Sequence, residues 1–145
     1  MKKFILLSLA SFTALTIFAA DPRVDEKILK AFALTFPNAA ETSWTVLPQA
    51  FEVSFKQNQV RATITYDMEG NITKTLRYYG EEQLPIMVLT KVRSRFADKK
   101  IFGVVEEFSE EGTYYHITLV DDTHWIKLRA DAYGAITVED KFKKA

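Results

Sequence analysis

The chain is predicted to adopt an α+β fold. Two tandem α-β-β-β-β repeats form an antiparallel sheet, with the helices packed on one face. Three observations predict this. Phe51-Glu52-Val53-Ser54-Phe55 recurs as Tyr115-His116-Ile117-Thr118-Leu119, at an offset of 64 residues. Asp67-Met68-Glu69-Gly70-Asn71-Ile72-Thr73 recurs as Asp131-Ala132-Tyr133-Gly134-Ala135-Ile136-Thr137, at the same offset of 64. Upstream, Val24, Ile28, Phe32 and Phe36 recur as Leu84, Val88, Val92 and Phe96, at an offset of 60. A repeat that keeps apolar spacing and turn glycines while its surface residues change is a repeat of fold.

Residues 1–20 form a signal peptide on this reading. Lys2 and Lys3 supply a positive start, Phe4 to Ala20 carry no charge, and Ala19-Ala20 offer a small-residue cleavage site. The apolar run is short for a membrane span, which needs about 20 residues; an uncleaved anchor is the alternative. No cysteine occurs anywhere in the chain, so lipidation of a new N-terminus is excluded. The expected location is the periplasm or the extracellular space, with no membrane span after cleavage.

Residues 21–145 are expected to form a single domain made of two repeats, about 24–80 and 84–142. In the first, Val24, Ile28, Phe32 and Phe36 fall four apart and mark one stripe of a helix, with Lys27 and Lys30 off that stripe. Pro37-Asn38 ends it. Thr42 to Val46 is a strand centred on Trp44. Phe51, Val53 and Phe55 alternate with Glu52, Ser54 and Lys56, and Gln57-Asn58-Gln59 makes a tight turn. Val60, Ala62, Ile64 and Tyr66 alternate with Arg61, Thr63, Thr65 and Asp67. Asp67 to Gly70 is a type I turn closed by a left-handed glycine, and Ile72 to Tyr79 returns.

The second repeat follows the same grammar. Pro85 suits the first turn of a helix, where its missing N–H has no partner to lose. Leu84, Val88, Val92 and Phe96 continue the stripe. Ile101 to Phe108 is the first strand, Gly112 marks a turn, and Thr113 to Val120 pairs with His124 to Asp131 across Asp121-Asp122-Thr123. Asp131 to Gly134 repeats the earlier turn, and Ile136 to Phe142 closes the sheet. A 60-residue half alone is marginal in size, so the halves are expected to share a continuous interior.

Nineteen basic side chains, less Lys2 and Lys3, leave seventeen against nineteen acidic ones, a net charge of −2 for the mature chain. That balance excludes the basic surface that nucleic acid demands. His116, Asp121, Asp122 and His124 invite a metal reading. Strand alternation sets His116 outward and His124 inward, however, and two ligands on opposite faces do not make a site. The acidic pairs Glu81-Glu82, Glu106-Glu107 and Glu110-Glu111 point their members to opposite faces or flank turns. No serine sits in a nucleophile elbow and no glycine loop cradles phosphate. The expectation is no enzyme, no metal and no cofactor.

Alternation assigns to the open sheet face, away from the helices, Arg61, Thr63, Thr65, Thr73, Thr75, Arg77 and Tyr79. From the second repeat it adds Tyr114, His116, Thr118, Trp125, Lys127 and Arg129. Aromatic residues and arginine anchor protein interfaces because they bury much area at modest entropic cost. The candidate binding residues are therefore Trp125, Arg129, Lys127, Tyr114, His116, Arg77, Tyr79 and Arg61. The competing reading is that Trp125 caps the junction of the repeats, or that cross-strand aromatic pairs merely stabilise the sheet. Trp44 is assigned to core packing.

Phe36-Pro37-Asn38-Ala39, Trp44, Phe51 to Phe55, Asp67 to Gly70, Leu84-Pro85, Tyr115 to Leu119 and Asp131 to Gly134 carry a resemblance. Together they resemble the PepSY-like family of exported bacterial proteins, whose fold is likened to that of the β-lactamase inhibitor protein. The resemblance covers essentially all of the mature chain. It implies an extracytoplasmic, non-catalytic binding module, an inhibitor or adaptor whose partner is a protein or peptide of the cell envelope. The chain departs from the inhibitors in having no cysteine for their disulfides, and its Gln57-Asn58-Gln59 hairpin lacks their acidic tip; no contact residue is carried across. A structural or self-associating envelope protein is the alternative function, and a small envelope enzyme the less favoured one.

Overall fold

The computed structural model describes residues 23–145, so the signal-peptide expectation for residues 1–20 lies outside the described residues. The order is α1 (Glu26–Thr35), β1 (Ala40–Leu47), β2 (Ala50–Gln57), β3 (Val60–Tyr66) and β4 (Ile72–Tyr79). A short 3-10 turn follows at Glu81–Gln83. Then come α2 (Ile86–Arg95), β5 (Lys100–Ser109), β6 (Gly112–Val120), β7 (His124–Asp131) and β8 (Ile136–Lys143). The eight strands form one antiparallel sheet in chain order, with β1 and β8 as its edges.

Asp25 caps α1 by accepting a hydrogen bond from the Lys27 N–H at 2.8 Å. α2 starts one residue later than expected, with Pro85 outside its first turn as the capping residue. The β2–β3 turn is tighter than expected. Only Asn58 and Gln59 form it, with φ 51 and 68, the doubly left-handed geometry that matches strand twist. Gly70 and Gly134 occupy the predicted left-handed positions, at φ 91 and 78. At both turns the aspartate that opens the loop accepts the glycine N–H on its backbone carbonyl, Asp67 at 3.2 Å and Asp131 at 3.0 Å.

Each helix lies over its own half of the sheet. α1 buries Ile28 and Phe32 against Phe51, Val53, Phe55, Ala62, Ile64 and Tyr66. Trp44 packs here as expected, its ring edge-on to Phe32 with centroids 5.3 Å apart. α2 buries Val88 and Val92, together with Leu84, against Val104, Tyr115, Ile117, Leu119, Ile126, Leu128 and Ala130. These are two separate cores. The expected continuous interior is absent because the helix-side row that joins them holds Thr75 and Arg77 of β4 against Phe108 and Glu106 of β5. Arg77 Nη1 donates to both Glu106 oxygens, at 3.1 and 3.2 Å, and the Tyr79 hydroxyl donates to Glu106 at 2.5 Å. A charged seam stands where apolar contact was expected.

That seam overturns the face assignment of β4. In the ladder Thr65 pairs with Lys74 but Tyr66 pairs with Ile72, so Thr73 is an extra, bulged residue. One inserted residue inverts every side chain beyond it. Thr75, Arg77 and Tyr79 therefore face the helices, and Lys74, Leu76 and Tyr78 face the open side. Arg77 and Tyr79 do not belong to the open face on which alternation placed them.

Candidate functional site

The open face of the second half gathers most of the candidate residues. Strand pairing sets Tyr114 beside Asp131, His116 beside Arg129, Thr118 beside Lys127 and Val120 beside Trp125, all on the side away from α2. Five of the eight sequence-derived candidates, Trp125, Arg129, Lys127, Tyr114 and His116, thus share one surface. Arg61 lies on the same face of β3, paired with Glu41 at 3.4 Å. Three strand steps separate it from β6, roughly 14 Å, so it stands apart from the cluster.

The far end of this surface is aromatic and basic. Trp125 meets Phe102 edge-on, centroids 4.9 Å apart and planes at 89°. Phe142 of β8 is the direct neighbour of Trp125 across the ladder. Lys127 Nζ lies 5.3 Å from the Phe142 ring, and Lys144 Nζ lies 5.3 Å from the Trp125 ring. Phe102 stays 69% exposed and Phe142 43% exposed, an apolar pair facing water between two ammonium groups. Trp125 sits two strands from the β4–β5 junction, so it does not cap the meeting of the halves.

Toward the middle of the sheet the face becomes a charge network. The Arg129 guanidinium stacks on Tyr114, 3.7 Å from the ring centre. His116 stands between two carboxylates, its Nε2 3.3 Å from Glu107 and its Nδ1 3.6 Å from Glu139. Lys74 reaches Glu107 at 3.2 Å. A depression of about 290 Å³ runs past His116, Thr118, Lys127 and Glu139. These groups hold one another, which orients long side chains before any partner arrives and lowers the entropy lost on binding.

Sequence alternation missed Phe102, Phe142, Glu139 and Tyr78. Phe102 and Glu139 are each bulged residues: Ile101 and Gly103 pair with consecutive residues of β6, and Asp140 and Val138 with consecutive residues of β7. The available signal was Gly103, which interrupts an apolar run and is a common mark of a bulge.

The Asp121 turn needs no metal to explain it. Asp121 accepts the Thr123 and His124 N–H groups at 2.7 Å each and the Lys99 ammonium at 2.7 Å. His124 Nδ1 lies 2.7 Å from the Thr123 hydroxyl. No cluster of three or more His, Cys, Asp or Glu side chains suited to a metal forms among the described residues. The Lys99 ammonium first, and then the two backbone N–H groups, hold the Asp121 carboxyl well below the usual carboxylate range. A depressed folded-state value gives stability that is present above the unfolded value of about 4 and is lost as pH falls toward the folded one. Asp121→Asn is therefore expected to lower Tm at neutral pH and to converge on the unsubstituted protein in acid. Thermal unfolding at about pH 7 and about pH 2.5 checks this; a gap that stays constant would contradict it.

No family model matches the chain, and no curated protein matches it. Solved structures do. A BLIP-like protein from Bacteroides fragilis, named for the β-lactamase inhibitor protein, superposes with TM-score 0.67 at 18% identity, over 86% of this chain and 90% of that one. A protein of Bacteroides eggerthii, provisionally assigned to the periplasm, gives TM-score 0.66 at 12% identity, over 84% and 90%. A DUF2874 family protein from Bacteroides ovatus gives TM-score 0.65 at 14% identity, over 84% and 89%. The fold is BLIP-like: an open antiparallel sheet of eight strands with two helices on one side.

Proposed function

We propose that the chain is an exported, non-catalytic binding module, an inhibitor of or adaptor for a protein or peptide of the cell envelope. It binds through the open sheet face, centred on Trp125. The observation that carries this reading is the Phe102–Trp125–Phe142 strip, two exposed phenylalanines about a half-buried tryptophan, flanked by Lys127 and Lys144 and sharing its face with the Arg129–Tyr114 stack. The wet face of an antiparallel sheet ordinarily carries polar side chains, and exposed aromatics beside cations are the composition of an interface core. The BLIP-like neighbour, and the one provisionally assigned to the periplasm, support a non-enzymatic envelope role.

In the same reading residues 1–20 are a cleaved leader and residues 21–145 are one domain of two copied units with PepSY-like kinship. Support for duplication comes from the irregularities as well as the order. The first strand of each half is bulged near its start, between Ala40 and Ser43 and between Ile101 and Gly103. The last strand of each half is bulged too, at Thr73 and Glu139.

Truncating a central aromatic anchor costs about 2 kcal/mol or more of binding energy, near thirtyfold in affinity. Partner recovery from envelope extract is expected to collapse for Trp125→Ala and to fall for Arg129→Ala, with circular dichroism unchanged. Equal recovery of every partner by all three proteins would sink the assignment of that face. Self-association is the second reading, favoured by the edges of β1 and β8, which no strand among the described residues covers. Sedimentation showing a monomer at high concentration removes it.

A further inference from the structure

On the opposite side of the sheet, where the two cores fail to meet, the seam opens into a cleft of about 370 Å³. That is within the size range of small-ligand sites, roughly 300–1,000 Å³. Its floor is apolar, from Phe55, Ala62 and Ile64, and Phe36 at the end of α1 forms a wall. Its polar lining residues include Gln57, Asn58, Gln83 and Arg77.

Arg77 is the group that gives this cleft a chemical preference. It spends Nη1 on both oxygens of Glu106, at 3.1 and 3.2 Å. Nε and Nη2 make no hydrogen bond with the described residues, and the side chain is 44% exposed. Glu106 is in turn fixed by the Tyr79 hydroxyl at 2.5 Å. The guanidinium is thereby clamped on one side and presents its remaining donors on the other. A planar cation with a free fork is matched by a carboxylate. The apolar floor beside it takes a large side chain, and the rim amides take peptide N–H and C=O groups.

We propose that this cleft binds the C-terminal residues of a peptide ending in a large apolar amino acid, with the terminal carboxylate on Arg77 and the last side chain against Phe36 and Phe55. The site is independent of the open face and lies on the other side of the sheet.

The test is chemical-shift mapping on the ¹⁵N-labelled protein with acetyl-Gly-Gly-Phe as the free acid and as its C-terminal amide. The free acid is expected to move the amides of Asn58, Ala62 and Thr75, and to bind about tenfold or more tighter than the amide. Arg77→Gln is expected to erase that difference. Glu106→Gln removes the competing carboxylate but keeps an acceptor for Tyr79, so it is expected to tighten free-acid binding about threefold or more. A gain of affinity is an outcome that misfolding does not produce. Trp125→Ala leaves all of this unchanged. Equal binding of acid and amide, shifts confined to the open face, or weaker binding by Glu106→Gln would each overturn the proposal. So would hydrocinnamate alone binding as tightly as the peptide, since the rim amides would then have no role.

Discussion

Replacing Phe55 by alanine is expected to destabilise the protein by about 3–5 kcal/mol, the range for a buried phenylalanine. Phe55 is 2% exposed and its ring packs at 5.1 Å from Phe32 and 4.9 Å from Phe36, so its loss opens a cavity bounded by rings that cannot all move in. A small domain has about 5–15 kcal/mol in total, so this one change consumes a large share. The damage is also expected to stay local. Phe55 belongs to the α1 core, and the α2 core around Ile117 and Leu128 is a separate cluster across the Arg77–Glu106 seam. Cooperative units of exchange follow contiguous packing. Native-state hydrogen exchange on Phe55→Ala should thus show protection falling in β2 and β3 well before β6 and β7. An equal loss of protection in both halves would mean that the β4–β5 ladder couples the cores despite the charged row between them.

What the sequence made legible divides along a physical line. Period and turn chemistry carried the elements: β4 at Ile72–Tyr79 and β7 at His124–Asp131 match their expected limits. The turns at Gly70 and Gly134 have the backbone geometry that aspartate-opened, glycine-closed loops demand. Alternation then placed Trp125, Lys127, Arg129, Tyr114 and His116 on one surface, because β6 and β7 pair without a bulge. It failed wherever a strand carries one extra residue. A bulge leaves composition and strand length nearly unchanged, so nothing in the count of apolar residues reveals it. That is why Arg77 and Tyr79 were set on the wrong side and why Phe102 escaped notice. The cleft beneath Arg77 was equally hidden. Phe36, Phe55 and Arg77 come from three elements and meet only because β3 and β4 lie side by side in the sheet.

Replacing Tyr79 by alanine tests the face that the bulge at Thr73 gives β4. Tyr66 pairs with Ile72 and Thr65 with Lys74, so skipping Thr73 puts Thr75, Arg77 and Tyr79 on the helix side. Two stabilising contributions are lost at once. The Tyr79–Glu106 hydrogen bond, which involves a charged acceptor, is worth about 1.5–3 kcal/mol, and the packing of Tyr79 on the α2 core is worth a similar amount. Tyr79→Ala is therefore expected to cost about 3–6 kcal/mol in urea unfolding. Burial sets a second expectation. In the intact protein desolvation first, and then Glu106, push the Tyr79 phenol far above its usual range, so it resists ionisation in alkali. Ultraviolet titration of the intact protein against Tyr79→Phe is expected to show one fewer alkali-resistant phenol in the variant. A Tyr79→Ala variant as stable as the intact chain, with the intact protein and Tyr79→Phe titrating alike in alkali, would show that Tyr79 does not lie on the helix side. The bulge at Thr73 would then not set the faces of β4.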